Sequence, residues 1–280
     1  MDGPCARIAR AGEDLTGLSA EMGAFFAARP FTPVEAEFDK RLRVQVYRAT
    51  GGPGPLPVGW GVTVGDIAHN LRAALDGLAW QLALLKGPRP SQRTAFPVHL
   101  RATTRLRDSG GNPLPHFWNH QSGKANREIQ SIDRKYWPRI EAFQPYKRGN
   151  GHRRSALYHL SELNNTDKHR LVTVINPTVG SVSWSGYARQ TNFNARATLR
   201  PGTKIGHIAP VPADQEMVHL NLKTGKFEPI TGYATHTLEF SSAVRFGDSC
   251  RAVKGLGVIP TLRGMIDEVS RVVDSFAREF

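Results

Sequence analysis

The sequence predicts an α+β protein with a mainly helical N-terminal part, an antiparallel β-rich section and a closing C-terminal helix. Three observations carry this prediction. Thr63 to Lys86, TVGDIAHNLRAALDGLAWQLALLK, is one long helical stretch that is apolar on most sides. After Leu171 the texture changes to β-rich runs (LVTVINPTV, SVSWSGYA, MVHLNLKTG, THTLEFSSAVRF) separated by Gly, Pro, Asn and Asp. From about Pro260 to Glu279 helical spacing returns, with Leu262, Ile266, Val269, Val273 and Phe276 on one face. The expected division is 1–171, mainly helical, and 172–280, the β-rich region plus the last helix, packed on the first part.

In order along the chain, residues 5 to 28 read as a first helix stopped at Pro30, with Ile8, Leu15, Leu18, Met22 and Phe25 or Phe26 recurring at helical spacing. Arg41 to Tyr47 alternates as a short strand, and GGPGPLPVG is a loop into the long helix. There Thr63 and Asp66 have the spacing of a capping box with Asp in place of Glu. Ile67, Leu71, Leu75, Leu78, Leu82 and Leu85 form its apolar stripe, and Ala68, Ala73, Ala74, Ala79 and Ala83 permit close neighbours. His69, Arg72, Asp76 and Trp80 line the opposite face, which is therefore expected to meet protein or ligand rather than bulk solvent.

Ala95 to Val98 reads as a buried connector, 101–122 as irregular with a surface loop at Gly110 to Pro113, and Asn126 to Phe143 as a helix interrupted near Pro138. Arg153 to Arg170 is a further helix whose stripe of Ala156, Leu157, Leu160 and Leu163 arrives at Asp167. A carboxylate in line with a core face must find a donor or give up its charge, and Arg72 or His69 would serve as the donor. Lys223 to Lys226 is a hairpin candidate.

The 280 residues carry a net charge of +13, which suits nucleic acid or another polyanion, an acidic partner or an anionic membrane. Residues 101–154 hold twelve Lys and Arg against four Asp and Glu, a local balance of +8. Within them Lys135, Arg139, Lys147, Arg148, His152, Arg153 and Arg154 interleave with Tyr136, Trp137 and Tyr146, a composition suited to phosphate neutralisation and base stacking. The plainer reading is a solvated basic face over core aromatics. The Gly149-Asn150-Gly151 turn ahead of a helix could offer backbone N–H groups to a phosphate.

Cys5 and Cys250 have no metal spacing, the first residues show no apolar signal region, and no run is long enough to span a bilayer. A cytoplasmic protein with no membrane partner is expected; its oligomeric state is left open, a homodimer included. His116 and His120 lack further ligands at metal spacing, and no nucleotide-binding glycine loop or serine elbow is present. No metal or cofactor is implied.

The chain resembles a group of uncharacterised bacterial proteins through Gly65-Asp66, His69-Asn70-Leu71-Arg72, Ala74-Leu75-Asp76, Trp80, Phe96-Pro97, Gln144-Pro145-Tyr146 and the segment Leu160 to Arg170. The resemblance brings no activity with it. That pattern often has histidine where this chain has Gly77. A weaker likeness is to HEPN-type helical ribonucleases, in which an arginine and a histidine four to six residues later act on RNA without metal. Arg72 would need a histidine at 77; Arg154 and His159 have the spacing.

The candidate catalytic set is thus His69, Arg72, Asp76, Asp167, His169 and Arg170. His69 would transfer a proton or contact an anion, Arg72 and Arg170 would hold a phosphate or carboxylate, and Asp76 and Asp167 would orient them. Trp80 is the candidate stacking residue. Three functions compete: an RNA-interacting protein, with a metal-independent ribonuclease as its sharpest form; a small-molecule enzyme or sensor with a pocket beside Trp80; and a non-catalytic protein whose His–Arg–Asp network locks its helices.

Overall fold

The computed structural model describes residues 1–28, 34–51, 55–87, 90–100, 128–169, 172, 174–185, 188–194, 201–210, 218–221, 226–229 and 237–280. Its helices are α1 (Asp2–Ala27), α2 (Gly59–Leu84), α3 (Trp137–Ala142), α4 (Ala156–Asp167) and α5 (Val258–Asp274). Short 3-10 turns occupy Arg134–Tyr136, Pro145–Arg154 and Ala277–Glu279. The strands are β1 (Val34–Asp39), β2 (Val44–Ala49), β3 (Val174–Ser185), β4 (Ala188–Phe193), β5 (Lys204–Pro210), β6 (Val218–Asn221), β7 (Lys226–Pro229) and β8 (Thr237–Phe246). The protein is α+β. The expected loop at Gly110 to Pro113, His116, His120, Arg170 and the turn 223–225 lie outside the described residues.

The chain divides into two compact units: a helical one of Met1–Met22, Pro57–Val174 and Phe246–Phe280, and a β one of Gly23–Leu56 and Ile175–Arg245. This division differs from the expected one at 171/172 in joining residues 23–56 to the β-rich section and the last helix to the helical part. β1 and β2 precede α2 in the chain, yet β2 pairs with β5, giving an antiparallel sheet in the order β1-β2-β5-β4. A two-stranded hairpin is marginal alone, so its open edge is completed by strands from far along the chain. β3 pairs with β8 and β6 with β7 in separate two-stranded sheets. The expected strand at Arg41 starts later, at Val44, because Asp39 Oδ1 accepts from the backbone N–H groups of Arg41 and Leu42 and holds a turn there.

In the helical unit α2, α4 and α5 pack against one another. The stripe of Ile67, Leu71, Leu75, Leu78 and Leu82 is wholly buried, together with Leu157, Leu160 and Leu163 of α4 and Leu262, Met265, Val269, Val272 and Val273 of α5. Each large side chain so buried contributes about 1.5–3 kcal/mol. The expected capping box at the start of α2 is not formed. The helix begins at Gly59, one turn earlier, and Thr63 donates back to the Gly59 carbonyl at 3.2 Å inside it. Likewise α4 begins at Ala156 rather than Arg153, since the preceding residues form 3-10 turns broken at Gly149, whose φ of +54° suits glycine.

Candidate functional site

The site is built around the backbone of residues 95–99, which is held by side chains from two separate segments and by the backbone of a third. Arg72 Nε and Nη2 donate to Asp76 at 3.1 and 2.7 Å, one helical turn apart on α2. Arg72 Nη2 also donates to the Phe96 carbonyl at 2.7 Å, while the Phe96 N–H donates to Asp76 Oδ1 at 3.0 Å. The ion pair therefore clasps both polar groups of one residue whose ring is fully buried. Gln144, itself fully buried, repeats the device: Nε2 donates to the Pro97 carbonyl at 2.8 Å and Oε1 accepts from the His99 N–H at 3.0 Å. Ala95 N–H donates to the Glu128 carbonyl at 3.2 Å, which brings that residue alongside. As a result His99 Nε2 lies 3.6 Å from Glu128 Oε2.

These groups border a pocket of about 420 Å³ in the helical unit. Arg72, Asp76, Phe96, Val98, His99 and Glu128 form one side. The other is α4, which presents Ser161, Asn164, Asn165 and Lys168. Their spacing of three, one and three places all four on one helical face. The volume falls in the range of small-molecule sites, although the lining is more polar than most of these. The His99 imidazole and the Glu128 carboxylate thus face each other at the pocket, at a separation longer than a hydrogen bond.

Asp167 is held against α2 at a second point on the same helix. Its carboxylate lies on Gly65, where a Cβ would stand 2.8 Å from Oδ2 and closer still to Oδ1. Burial pushes the Asp167 carboxyl above the usual range; the Asp66 carboxylate adds to this and the His69 charge opposes it. The expectation that Asp167 meets the face of α2 thus holds, and of the two expected partners, Arg72 or His69, it is His69 whose charge acts on it. Arg72 is engaged with Asp76 and Phe96, and it is Asp66 and His69 that act on Asp167. Asp66, His69 and His169 are exposed.

Trp80 is 41% exposed and does not line the pocket, so the enclosed site expected beside it is corrected to one beside Arg72 and Asp76. Gly77 faces α1; its Cβ position is 3.5 Å from Pro4 Cγ.

The expected aromatic–basic groove is corrected for its rings. Tyr136 and Trp137 are buried, with the tyrosine hydroxyl donating to Glu279 at 3.0 Å and Trp137 Nε1 donating to the Ile132 carbonyl at 3.1 Å. A ring so enclosed offers no face to a base. Tyr146 donates to Glu141 at 3.0 Å, and burial followed by that carboxylate raises its pKa. Several cations are engaged as well: Arg139 with Glu279 at 2.9 Å, Lys147 with Glu141 at 2.9 Å and Arg148 with Glu268 at 2.8 Å. Lys135 sits 4.8 Å from the Tyr136 ring centre. Arg139, then Tyr136, hold the Glu279 carboxyl below its usual pKa by hydrogen bonding. His152 bonds the Gly149 carbonyl at 2.9 Å, and Arg153 and Arg154 are exposed. His159, the spacing partner of Arg154, is buried with Nε2 on the Arg153 carbonyl at 2.9 Å; burial lowers its pKa against the effect of that bond.

Sequence reasoning missed His99, Glu128, Ser161, Asn164, Asn165 and Lys168. The α4 set had a readable signal, a polar stripe at helical spacing beside the leucine stripe; His99 and Glu128 had none. Among the described residues no group of three or more His, Cys, Asp or Glu could hold a metal ion, and no helix is long and apolar enough to cross a membrane. Cys5 and Cys250 are both free. Compared with known protein families, with curated proteins and with solved structures, the chain shows no match.

Proposed function

We propose that this protein binds a small polar molecule in the pocket between α2 and α4, as a small-molecule enzyme or sensor. One observation carries the reading. Four segments far apart in the chain, containing Arg72–Asp76, Phe96–His99, Glu128 and Ser161–Lys168, converge on one polar pocket of about 420 Å³. A fold lock alone would need the Arg72–Asp76 clasp but no polar space beside it. In this reading Arg72, Asp76 and Gln144 are positioning residues that hold the 96–99 backbone, and His99 with Glu128 is the unit able to exchange a proton with the ligand.

The test is a ligand-observed NMR screen of polar metabolites against the purified protein and against Asn165→Trp, which fills the pocket from an exposed helix position. Binders lost in the variant support the reading. A screen without binders, or binders indifferent to Asn165→Trp, counts against it.

Interaction with RNA is the second reading, favoured by the net charge of +13 and the exposure of Arg153 and Arg154. It requires phosphate contacts without stacking on Tyr136 or Trp137. RNA binding across a salt series, with cleavage followed in parallel, tests it through the slope. A ribonuclease of the HEPN type has weaker support, since Arg72 is engaged and His159 is tied to backbone.

A further inference from the structure

We infer that the ligand of this pocket is a small organic anion whose carboxylate or phosphate group is held at Lys168; the inference rests on the pocket reading above and specifies its ligand. Charge pairing within the lining leads to it. The Arg72 guanidinium is answered by Asp76, and Glu128 faces His99. The lining holds two cations and two carboxylates, but Arg72 is engaged with Asp76 whereas Lys168 forms no ion pair among the described residues, so the Lys168 ammonium is the cation an entering anion can reach. An anion entering there gains a charge-assisted hydrogen bond and requires no native pair to break.

The same face of α4 supplies the remainder of the recognition. Asn164 and Asn165 each carry both donor and acceptor atoms, and Ser161 a hydroxyl, so an uncharged polar body can be read next to the anionic group. Asn164 is 5% exposed, which limits the directions in which its amide can point, whereas Lys168 is exposed and can fold onto a ligand. Lining of this kind fits an amino-acid-like or sugar-phosphate-like molecule better than an apolar one.

The experiment compares matched pairs that differ in the anionic group: glutamate with glutamine, and glucose 6-phosphate with glucose. Binding is measured by calorimetry to the full chain and to Lys168→Gln and Lys168→Arg. The expected result is that an anionic member binds in preference to its neutral partner. Lys168→Gln should weaken it by on the order of tenfold and Lys168→Arg should largely preserve it. Preference in the first pair identifies a carboxylate ligand, and in the second a phosphate ester. Equal binding within both pairs, or binding unchanged in Lys168→Gln, overturns the inference and leaves the pocket reading intact. No binding by any of the four also overturns it; the metabolite screen with Asn165→Trp then decides separately whether the pocket reading falls too.

Discussion

The carboxylate of Asp167 at the end of α4 rests on the backbone of Gly65 in α2, in space that any side chain at 65 would occupy. The close approach of the two helices at this point depends on a missing Cβ. It also leaves a carboxylate half-buried between a second carboxylate, Asp66, and His69.

A double-mutant cycle tests the relationship. Gly65→Ala alone should destabilise the protein by about 1–3 kcal/mol through overpacking. In an Asp167→Ala background the same change should become neutral or stabilising by up to about 1 kcal/mol, because alanine is the better helix residue once the space is free. Urea unfolding of the four proteins measures both. Equal effects in the two backgrounds would separate the residues.

The pH dependence of stability has opposite signs at two residues. Asp167 has a folded-state pKa above its ordinary value of 3.8, so the native state holds its proton more tightly and stability falls as pH rises through that window. Asp167→Asn should therefore raise Tm at neutral pH, by a margin that vanishes at about pH 4. His159 has a folded-state pKa below 6.5, so the unfolded chain binds the proton first and stability falls as pH drops below that value. His159→Gln should flatten this acid limb. Thermal melts across pH on the single variants resolve the two.

Removing Arg72 should strand Asp76 and release the Phe96 carbonyl together. Arg72→Ala is expected to cost about 1–3 kcal/mol, discounted from a fully buried pair because Asp76 is partly in solvent. Arg72→Lys should recover little, since an ammonium cannot reproduce the forked contact. Arg72→Ala with Asp76→Ala should cost less than the sum of the two, which chemical denaturation will show.

Trp137→Phe should cost about 1 kcal/mol by removing the bond to the Ile132 carbonyl. Because the ring is buried, any affinity for RNA and its salt slope should remain unchanged. Weakened binding by a stably folded Trp137→Phe protein, measured by filter retention, would bring the stacking role back.

The α+β class, the long helix and the terminal helices were legible in the sequence, because each rests on local periodicity. The arrival of Asp167 on α2 was legible too, since a carboxylate at the end of a leucine stripe needs polar company. The pairing of β2 with β5 was hidden: strand partners far apart in the chain leave no local signature. Arg72 and Asp76 stood out by spacing, yet their role as a clasp on Phe96 depends on a loop 20 residues away.

By itself the sequence determined which faces are apolar, where the charge lies and which polar residues require partners. Only the tertiary structure decided those partners. It turned Tyr136 and Trp137 inward, left Trp80 on the surface, and brought His99 and Glu128 together beside one pocket. The physical reason is that burial and pairing depend on what surrounds a residue in space, and for this pocket the surroundings come from four stretches of chain.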